Sequence, residues 1–405
     1  MTAEPLDLDD WFAPLSLEEF GRTVFGLRPS HVAARPELAD RVMRTLGVRG
    51  VDDALSLRDP EVVAWFQRLD GRHTTAPIPL GSARRFYGAG TTLYIRRLAE
   101  FAGHERELAE RFGIPRSFVK FTLFCNRPSA VTRAHFDTVD IVIIQLHGRK
   151  TWRMAPNTFA PSPLDSWATL DPIPPDLRLY ADAVPPTGMP VQATTYELEP
   201  GAVLHLPRGH WHETESDQDS MSLHILLVPP SRMDAVLAEL KNELARDERW
   251  RQCAYRFGAS DETWAHRLRT DHAALREAVA RLDERDLLPS PVADQPVAPD
   301  TCFVRRGQAA CGIDGAPGPD GKATVAVTMY GARVTTTTKI TVPAAVIPAC
   351  QWVNNLRTGS AFAGSDLQHT APTMSATLAA DLLNLLERLQ LIRRDKTEPD
   401  KGDLR

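Results

Sequence analysis

The chain has few of the features that mark secreted or membrane-spanning proteins. Its 405 residues include only five cysteines, and no two of them form a Cys-x-x-Cys pair, so neither a disulfide framework nor a structural zinc site is indicated. No stretch approaches the roughly 20 apolar residues that a membrane-spanning helix needs, and the acidic N-terminal segment has no apolar core typical of a signal peptide. The sequence therefore predicts a soluble cytoplasmic protein with reduced thiols.

A strong excess of charge of either sign is absent as well. Lys and Arg number 47 against 52 Asp and Glu, a balance that provides no general attraction to nucleic acid or to an anionic membrane. The Gly- and Pro-rich segment 314–321 does not match a phosphate-binding motif and is predicted to be a flexible loop. Because a chain of 405 residues exceeds one typical hydrophobic core, two or three domains are expected.

Candidate metal ligands precede a strongly apolar segment. His135 and Asp137 are two residues apart, and residues 140–146, which follow them, are rich in β-branched side chains. Side chains two apart on a strand point to the same face, so the imidazole and the carboxylate would converge on one point. The apolar pattern breaks at 147–149 and resumes at 150–154, which predicts a hairpin.

A third ligand must come from another strand, and the segment 201–212 can supply it. Its apolar part ends at a Pro-x-Gly turn, and His212 lies three residues beyond the glycine. Two histidines and one carboxylate leave three adjacent coordination positions open, as in non-haem Fe(II) oxygenases, although Mn, Ni, Co and Zn also accept such ligands. Other histidines compete for the role, namely His205, His210 and His224, the last of which is expected to be a hydrogen-bonded core residue.

Both segments resemble motifs of known families. The spacing Gly201-x5-Pro207-x-Gly209-x2-His212 is similar to the second motif of the cupin barrels, with Ser216 in place of their usual asparagine. The first segment resembles the JmjC-type oxygenases, and its closest likeness is to the bacterial and nucleolar ribosomal-oxygenase branch. The residues that carry this likeness are His135, Phe136, Asp137, Asp140, Gln145 and the stretch Gly148 to Trp152.

The resemblance covers about residues 85–230 and implies an Fe(II)- and 2-oxoglutarate-dependent oxygenase that consumes dioxygen. The implied iron ligands are His135, Asp137 and His212. In the family, a lysine fifteen residues after the first histidine pairs with the distal carboxylate of 2-oxoglutarate, and this position is Lys150 here. Without the likeness, Lys150 would be interpreted as a solvated surface charge. Thr132 matches a hydroxyl position that contacts the co-substrate in some relatives.

The substrate that the resemblance implies is an amino-acid side chain in a protein or peptide. A ribosomal protein and a ribosomally synthesised natural-product precursor peptide both fit. Demethylation of a methyl-lysine, as in other JmjC proteins, is an alternative. Two non-enzymatic alternatives are a cupin-like binding or scaffold protein, which the intact His-Asp-His set argues against, and a nucleic-acid binder with an inert barrel, which the charge balance argues against.

The implied fold is a mainly β catalytic core, the double-stranded β-helix or jelly roll of the cupins, preceded by α/β elements. Residues 1–230 would form this JmjC/cupin catalytic domain with N-terminal helical elements. Residues 231–290 would form a helical segment of the kind that mediates homodimerisation in this branch. Residues 291–405 would be a linker and a winged-helix-like domain, for which nearly balanced charge favours a structural or protein-docking role.

Local signals predict individual elements as well. Residues 1–85 are expected to be largely helical, and the proline-rich segment between 155 and 191 is either a lid or substrate loop or a passive surface connection. Ser16 with Glu19 and Ser231 with Asp234 fit capping boxes. The other predicted elements are helices at 39–46, at 96–112, from about 260 and from 375, strands at 88–95 and 118–124, and a hairpin over 324–342.

Overall fold

A computed structural model describes most of the chain. The described residues are 9–57, 60–67, 73–112, 118–128, 130–228, 231–245, 247–254, 256, 258–282, 296–307, 309–330 and 335–395. They fall into two compact units, the first comprising the described residues up to 228 and the second those from 231 onward. Within these residues, no helix combines the length and the apolar character that crossing a bilayer would require.

Six helices lie in the first unit. Their bounds are α1 (Asp9–Phe12), α2 (Leu17–Thr23), α3 (Pro36–Leu46), α4 (Val51–Ala54), α5 (Leu80–Gly88) and α6 (Ala102–Phe112). The predicted capping box opens α2, because the Ser16 hydroxyl accepts from the Glu19 N–H and the Glu19 carboxylate accepts from the Ser16 N–H. Helix α3 begins with Pro36 and ends at Gly47, whose left-handed backbone suits glycine.

Two antiparallel sheets form the body of this unit. The larger has eight strands, which in spatial order are β1 (Ser30–Val32), β11 (Val203–Leu206), β7 (Asp140–His147), β13 (Ser220–Leu227), β5 (Val119–Asn126), β4 (Thr92–Arg96), β2 (Glu61–Gln67) and β3 (His73–Ile78). The smaller has five, which are β10 (Thr194–Leu198), β8 (Lys150–Ala155), β12 (Trp211–Glu215), β6 (Val131–Phe136) and β9 (Trp167–Ala168). Side chains from both sheets share one apolar cluster, including Ile141, Ile143, Trp152, Met154, Leu204 and Leu206.

The predicted hairpin of 140–146 and 150–154 is wrong in its pairing, although both strands exist. Strand β7 pairs with β11 and β13 in the larger sheet, whereas β8 pairs with β10 and β12 in the smaller one. The chain changes sheets at Gly148, which has φ +65°, a value that glycine adopts without strain. A break between two apolar runs therefore marks the passage from one sheet to the other instead of a hairpin turn.

Other predictions near the N-terminus need correction. The region before residue 85 is less helical than expected, since β2 and β3 pair there as an antiparallel hairpin. The strand predicted at 88–95 is shorter, because α5 continues to Gly88 and β4 begins at Thr92. The helix predicted at 96–112 begins only at Ala102, after a 3-10 turn, and the strand predicted at 118–124 is confirmed as β5.

The proline-rich segment between β8 and β10 contains little regular structure beyond β9 and a 3-10 turn at Leu177–Leu179. It is nevertheless well packed. Its aromatic and aliphatic side chains form a buried cluster with β6 and β12, composed of Ala134, Phe136, Ala155, Phe159, Ala160, Trp167, Leu177 and Trp211. The segment is thus held against the outer side of the smaller sheet.

The second unit begins with three helices, α7 (Arg232–Leu244), α8 (Glu248–Arg251) and α9 (Asp261–Ala280). The predicted capping box of Ser231 with Asp234 is confirmed, and the helix predicted from about residue 260 is α9, which Ser260 caps. Later strands form two three-stranded sheets, β18 (Ala361–Ala363) with β14 (Cys302–Arg305) and β19 (Ile392–Arg394), and β15 (Ala309–Ile313) with β16 (Lys322–Tyr330) and β17 (Thr335–Pro343).

Three further helices, α10 (Ile347–Asn355), α11 (Gly364–Thr370) and α12 (Ala376–Arg388), pack with these sheets around one core. The predicted hairpin is present as β16 and β17, and the predicted helix after Ser375 is α12. Most of the predicted linker, and the hairpin turn at 331–334, lie outside the described residues. The winged-helix character of this part stays a prediction.

Candidate metal centre

The three residues proposed as ligands meet at one point on the smaller sheet. His135 lies on β6 and faces His212 on the adjacent strand β12, and Asp137 directly follows β6. The Asp137 Oδ2 atom is 3.8 Å from His135 Nε2 and 3.7 Å from His212 Nε2. One ligand atom from each residue can be chosen so that all three lie within 4.8 Å of one another, as three ligands of a single ion would.

Hydrogen bonds to the backbone orient both imidazoles. The Nδ1 atom of His135 is 2.8 Å from the Arg133 carbonyl oxygen, and that of His212 is 3.0 Å from the His210 carbonyl oxygen. Since a carbonyl can only accept, each Nδ1 carries the proton and each Nε2 presents a lone pair toward Asp137. A metal-binding histidine is commonly held in this way through its second nitrogen.

Burial keeps His212 in the protonation state that metal binding requires. The His212 side chain is almost fully buried, and this desolvation lowers the pKa of its imidazole, with a further contribution from the neighbouring His135. A neutral imidazole is the form that binds a metal. His135 and Asp137 remain partly exposed, so the centre lies between a dry interior and an accessible side.

The competing histidines have other partners. His205 lies on β11, where its Nε2 is 3.3 Å from an Asp140 carboxylate oxygen and its ring contacts Phe20. His210 contributes its backbone carbonyl to His212. The cupin-like spacing therefore selected the histidine that lies beside Asp137.

Lys150 is buried inside the first unit, contrary to the alternative of a solvated surface charge. Its Nζ donates to Asn126 Oδ1 on β5 at 3.0 Å and lies 5.2 Å from the centre of the Trp152 ring. Desolvation lowers the pKa of the Lys150 ammonium to about 7. A negative charge on Cys125 would act in the opposite direction. The Cys125 thiol is itself held neutral, because burial raises its pKa to about 12.

Unpartnered polar atoms lie on the strands that carry Lys150 and His212 and on β13. Among the described residues, the Trp152 Nε1, Thr214 Oγ1 and His224 Nδ1 atoms are buried and have no hydrogen-bond partner. Trp152 is central to this group: its ring lies 6.0 Å from that of His212 and 5.8 Å from that of His224, and Thr214 is its register partner. Buried donors without partners are costly, so their presence fits a polar co-substrate such as a dicarboxylate.

His224 is only partly the satisfied core histidine that was expected. Its Nε2 pairs with the Ser222 hydroxyl at 3.0 Å and its ring stacks on Phe124, yet its Nδ1 is unpartnered in the described part of the chain. Burial, with a further contribution from Lys150, lowers the pKa of the His224 imidazole well below its usual value. A neutral ring can offer a hydrogen bond to a bound molecule.

Thr132 reaches the same face as the metal ligands only because β6 is irregular. It lies three positions before His135, which on a regular strand would place the two side chains on opposite faces. The ladder between β6 and β12 pairs His135 with His212 but Thr132 with Thr214, so β6 contains one extra residue. The bulge places Thr132 opposite Thr214, and its contact with a co-substrate stays a prediction.

A cleft of about 640 Å³ opens beside His135. One wall comes from the β2–β3 hairpin and another from the proline-rich segment. The residues that line it are Trp65, Thr74, Thr75, Thr132, Arg133, His135, Phe136, Ser166, Trp167, Ala168, Asp171, Pro172 and Pro174. The proline-rich segment therefore forms part of the site's surroundings, and its role as a lid or substrate loop stays a prediction.

Several residues of this region carried no recognisable sequence signal. Asn126 is a common residue type, and only the pairing of distant strands brings it to the site. Arg133 and Thr214 each lie two residues from a metal ligand on the same strand, but their residue types are equally common there. Trp152 lay within a recognised motif, but nothing in the sequence indicated that its indole N–H would be left unpartnered. Alternation on β12 could have suggested that Thr214 shares a face with His212.

Comparisons with known proteins agree with this description. A family model of the JmjC domain matches residues 110–234. An uncharacterised protein, YxbC of Bacillus subtilis (strain 168), is 37% identical over 124 residues, which span 30% of this chain and 38% of that protein. The chain thus spans well under half the length of this curated relative.

Among solved structures, the X-ray structure of Escherichia coli ycfD overlays with a TM-score of 0.42 at 15% identity, covering 94% of this chain and 98% of that one. A structure described as YcfD, a ribosomal oxygenase from E. coli in complex with cobalt and 2-oxoglutarate, overlays with a TM-score of 0.41 at 15% identity and the same coverage. These scores are too low to establish a shared fold. The residues that match the JmjC domain model, 110–234, include Lys150 and the whole ligand set.

Proposed function

We propose that this protein is an Fe(II)- and 2-oxoglutarate-dependent oxygenase that hydroxylates an amino-acid side chain in a protein or peptide. The observation that carries the proposal is the convergence of His135, Asp137 and His212 beside a buried cation, Lys150, in one JmjC domain. Two imidazoles and one carboxylate on one side of an ion leave room for a chelating co-substrate and dioxygen.

Each residue has a distinct task in this proposal. His135, Asp137 and His212 would hold the iron, which when bound activates dioxygen at the expense of 2-oxoglutarate. Lys150, held by Asn126, would pair with the distal carboxylate of the co-substrate. Thr132, Thr214 and His224 would supply further hydrogen bonds, while the apolar interior keeps water from the reacting atoms.

The target carbon would enter through the cleft beside His135. The cleft is open and is lined by aromatic, proline and hydroxyl side chains, which suits an extended peptide better than a small free metabolite. A ribosomal protein and a ribosomally synthesised precursor peptide are both compatible with it. Demethylation of a methyl-lysine, a scaffold role without turnover and nucleic-acid binding have no specific support in the site.

We also propose that the chain forms a homodimer through its α7–α9 region. Helices α7 and α9 contact each other, yet the large apolar side chains Met233, Val236, Leu237, Leu268 and Val279 are exposed on them. Side chains at i, i+3 and i+4 of a helix lie on one face, so Met233, Val236 and Leu237 form a continuous apolar stripe. A second copy of the chain is the partner that the family resemblance favours.

Anaerobic titration tests the oxygenase proposal. Fe(II) and 2-oxoglutarate added together should produce the visible charge-transfer absorption of an iron-chelated 2-oxo acid, and admission of air should release succinate. His135→Ala and Asp137→Ala should each abolish both signals, because two ligands hold the ion too weakly. His147→Ala, at an exposed histidine at the end of β7, is the matched control and should behave as wild type.

Wild-type protein without Fe(II)-dependent 2-oxoglutarate binding would refute the proposal. Retention of that binding by Asp137→Ala would refute the ligand assignment.

A further inference from the structure

Arg133 is among the residues that line the cleft, and the proposed mechanism assigns its side chain no task. It lies on β6 two residues before His135, and its backbone carbonyl accepts the His135 Nδ1–H at 2.8 Å. Its side chain lines the cleft beside the metal centre. All three guanidinium nitrogens are shielded from water, and none has a hydrogen-bond partner in the part of the chain that the structure describes.

Such a guanidinium is unusual on energetic grounds. Arginine stays charged at every physiological pH, and its planar fork of five N–H donors matches a carboxylate in a bidentate geometry. Removing a charge from water without a partner is costly. A dry, unpaired cation among the residues of a cleft is therefore suited to an anion that enters that cleft.

The position of Arg133 indicates which molecule brings that anion. The distal carboxylate of 2-oxoglutarate is already matched by Lys150, which is buried in the interior beside Asn126. Arg133 lies instead among the residues of the β2–β3 hairpin and the proline-rich segment, which form the proposed entry for the peptide. Among the described residues that line the cleft, Arg133 is the one whose fixed positive charge favours an acid.

We infer that the substrate peptide carries a carboxylate close to the hydroxylated residue, and that this carboxylate pairs with Arg133. The inference rests on the proposed oxygenase function and narrows its substrate class. The carboxylate comes either from an Asp or Glu side chain or from a free peptide C-terminus. Arg133 would then position the target carbon relative to the iron and distinguish acidic peptides from neutral ones.

The test is a selection of random heptapeptides on protein loaded with Mn(II) and 2-oxoglutarate under argon. Two libraries are used, one with free and one with amidated C-termini. If an acidic side chain is recognised, the wild type should enrich peptides with Asp or Glu in both libraries. If the C-terminus is recognised, it should enrich peptides only from the library with free C-termini. Arg133→Met should lower the affinity for the selected peptides by about 10-fold to 100-fold, as expected for loss of a charge-assisted pair.

Two variants serve as controls. Arg178→Met removes the same charge at an exposed position of the proline-rich segment and should leave the selection unchanged. Asp171→Asn should not weaken the binding of acidic peptides, because it removes a negative charge from the cleft.

The inference would be overturned if the wild type recovered no peptide, or peptides without a preference for acidic groups. It would also be overturned if Arg133→Met selected the same peptides as the wild type. Weakened 2-oxoglutarate binding in Arg133→Met would overturn it as well, because it would assign the guanidinium to the co-substrate. Failure of the oxygenase proposal is separate, because it would appear as loss of Fe(II)-dependent 2-oxoglutarate binding in the wild type.

Discussion

At the scale of single residues, burial of the Lys150 ammonium is unfavourable in the free protein but suits the binding of an anionic co-substrate. Its ammonium is buried and has one polar partner, Asn126. Burial therefore disfavours the charged form, and the pKa of Lys150 falls to about 7. A carboxylate placed opposite Nζ would restore the charge, so binding of an anionic co-substrate and protonation of Lys150 should be coupled.

The coupling predicts that 2-oxoglutarate affinity declines as the pH rises. Below pH 7 the free protein already carries the ammonium, whereas above about pH 7 each binding event must take up a proton. The dissociation constant should therefore increase by up to about tenfold per pH unit between pH 7 and 9. Titration of the Mn(II)-loaded protein with 2-oxoglutarate across this pH range measures the dissociation constant.

Lys120→Met, at an exposed lysine on β5, should keep the same pH profile. Lys150→Arg should flatten it, because a guanidinium stays charged throughout. An affinity independent of pH in the wild type would contradict the proposed pairing.

At the scale of elements, the corner at Gly148 joins the strand that follows the metal pair to the strand that carries Lys150. Strands β7 and β8 belong to different sheets, so the chain must turn sharply between them. Gly148 has φ +65°, and a Cβ atom there would lie only 2.0 Å from the Asp219 carbonyl oxygen. Both the backbone conformation and the close approach of a neighbouring loop therefore require glycine.

Gly148→Ala should lower the free energy of unfolding by about 2–4 kcal/mol, since it combines backbone strain with a steric clash. Urea unfolding monitored by circular dichroism measures this change. Gly103→Ala is the matched control, because a Cβ at that position of α6 would meet no atom within 4 Å. Alanine also favours helix by up to about 1 kcal/mol there. Equal stability of Gly148→Ala and wild type would show that the corner can relax.

At the scale of the whole molecule, the proposed homodimer would cover the exposed apolar stripe on α7. One chain has a mass of 44.9 kDa. If a second copy covers this surface, light scattering on purified protein should give twice that mass. Leu237→Asp should yield monomers, because a charge in the interface would be desolvated without a partner. Lys241→Asp, one turn further along α7 and exposed, controls for the added charge.

A monomeric wild type would show that this surface has another role. A dimer unaffected by Leu237→Asp would place the interface elsewhere.

Local patterns were sufficient wherever the physical cause is local. The capping boxes at Ser16 and Ser231 are confirmed because a capping hydroxyl acts on N–H groups two or three residues away. The two metal motifs could be recognised because each is short and has a characteristic spacing, and the structure brings His135, Asp137 and His212 together. Thr132 was proposed by likeness alone, and the bulge that turns it toward the site left no trace in the sequence pattern.

The sequence by itself determined where the strands around the ligands lie and which three side chains could bind a metal, since alternation and motif spacing depend on neighbouring residues. Only the tertiary structure decided that β7 and β8 enter different sheets, that Lys150 meets Asn126, and that the proline-rich segment walls a cleft containing Arg133. Those outcomes depend on pairing and burial between residues that are distant along the chain. Hydrophobic periodicity reveals which face of a strand is buried but leaves open which strand it pairs with.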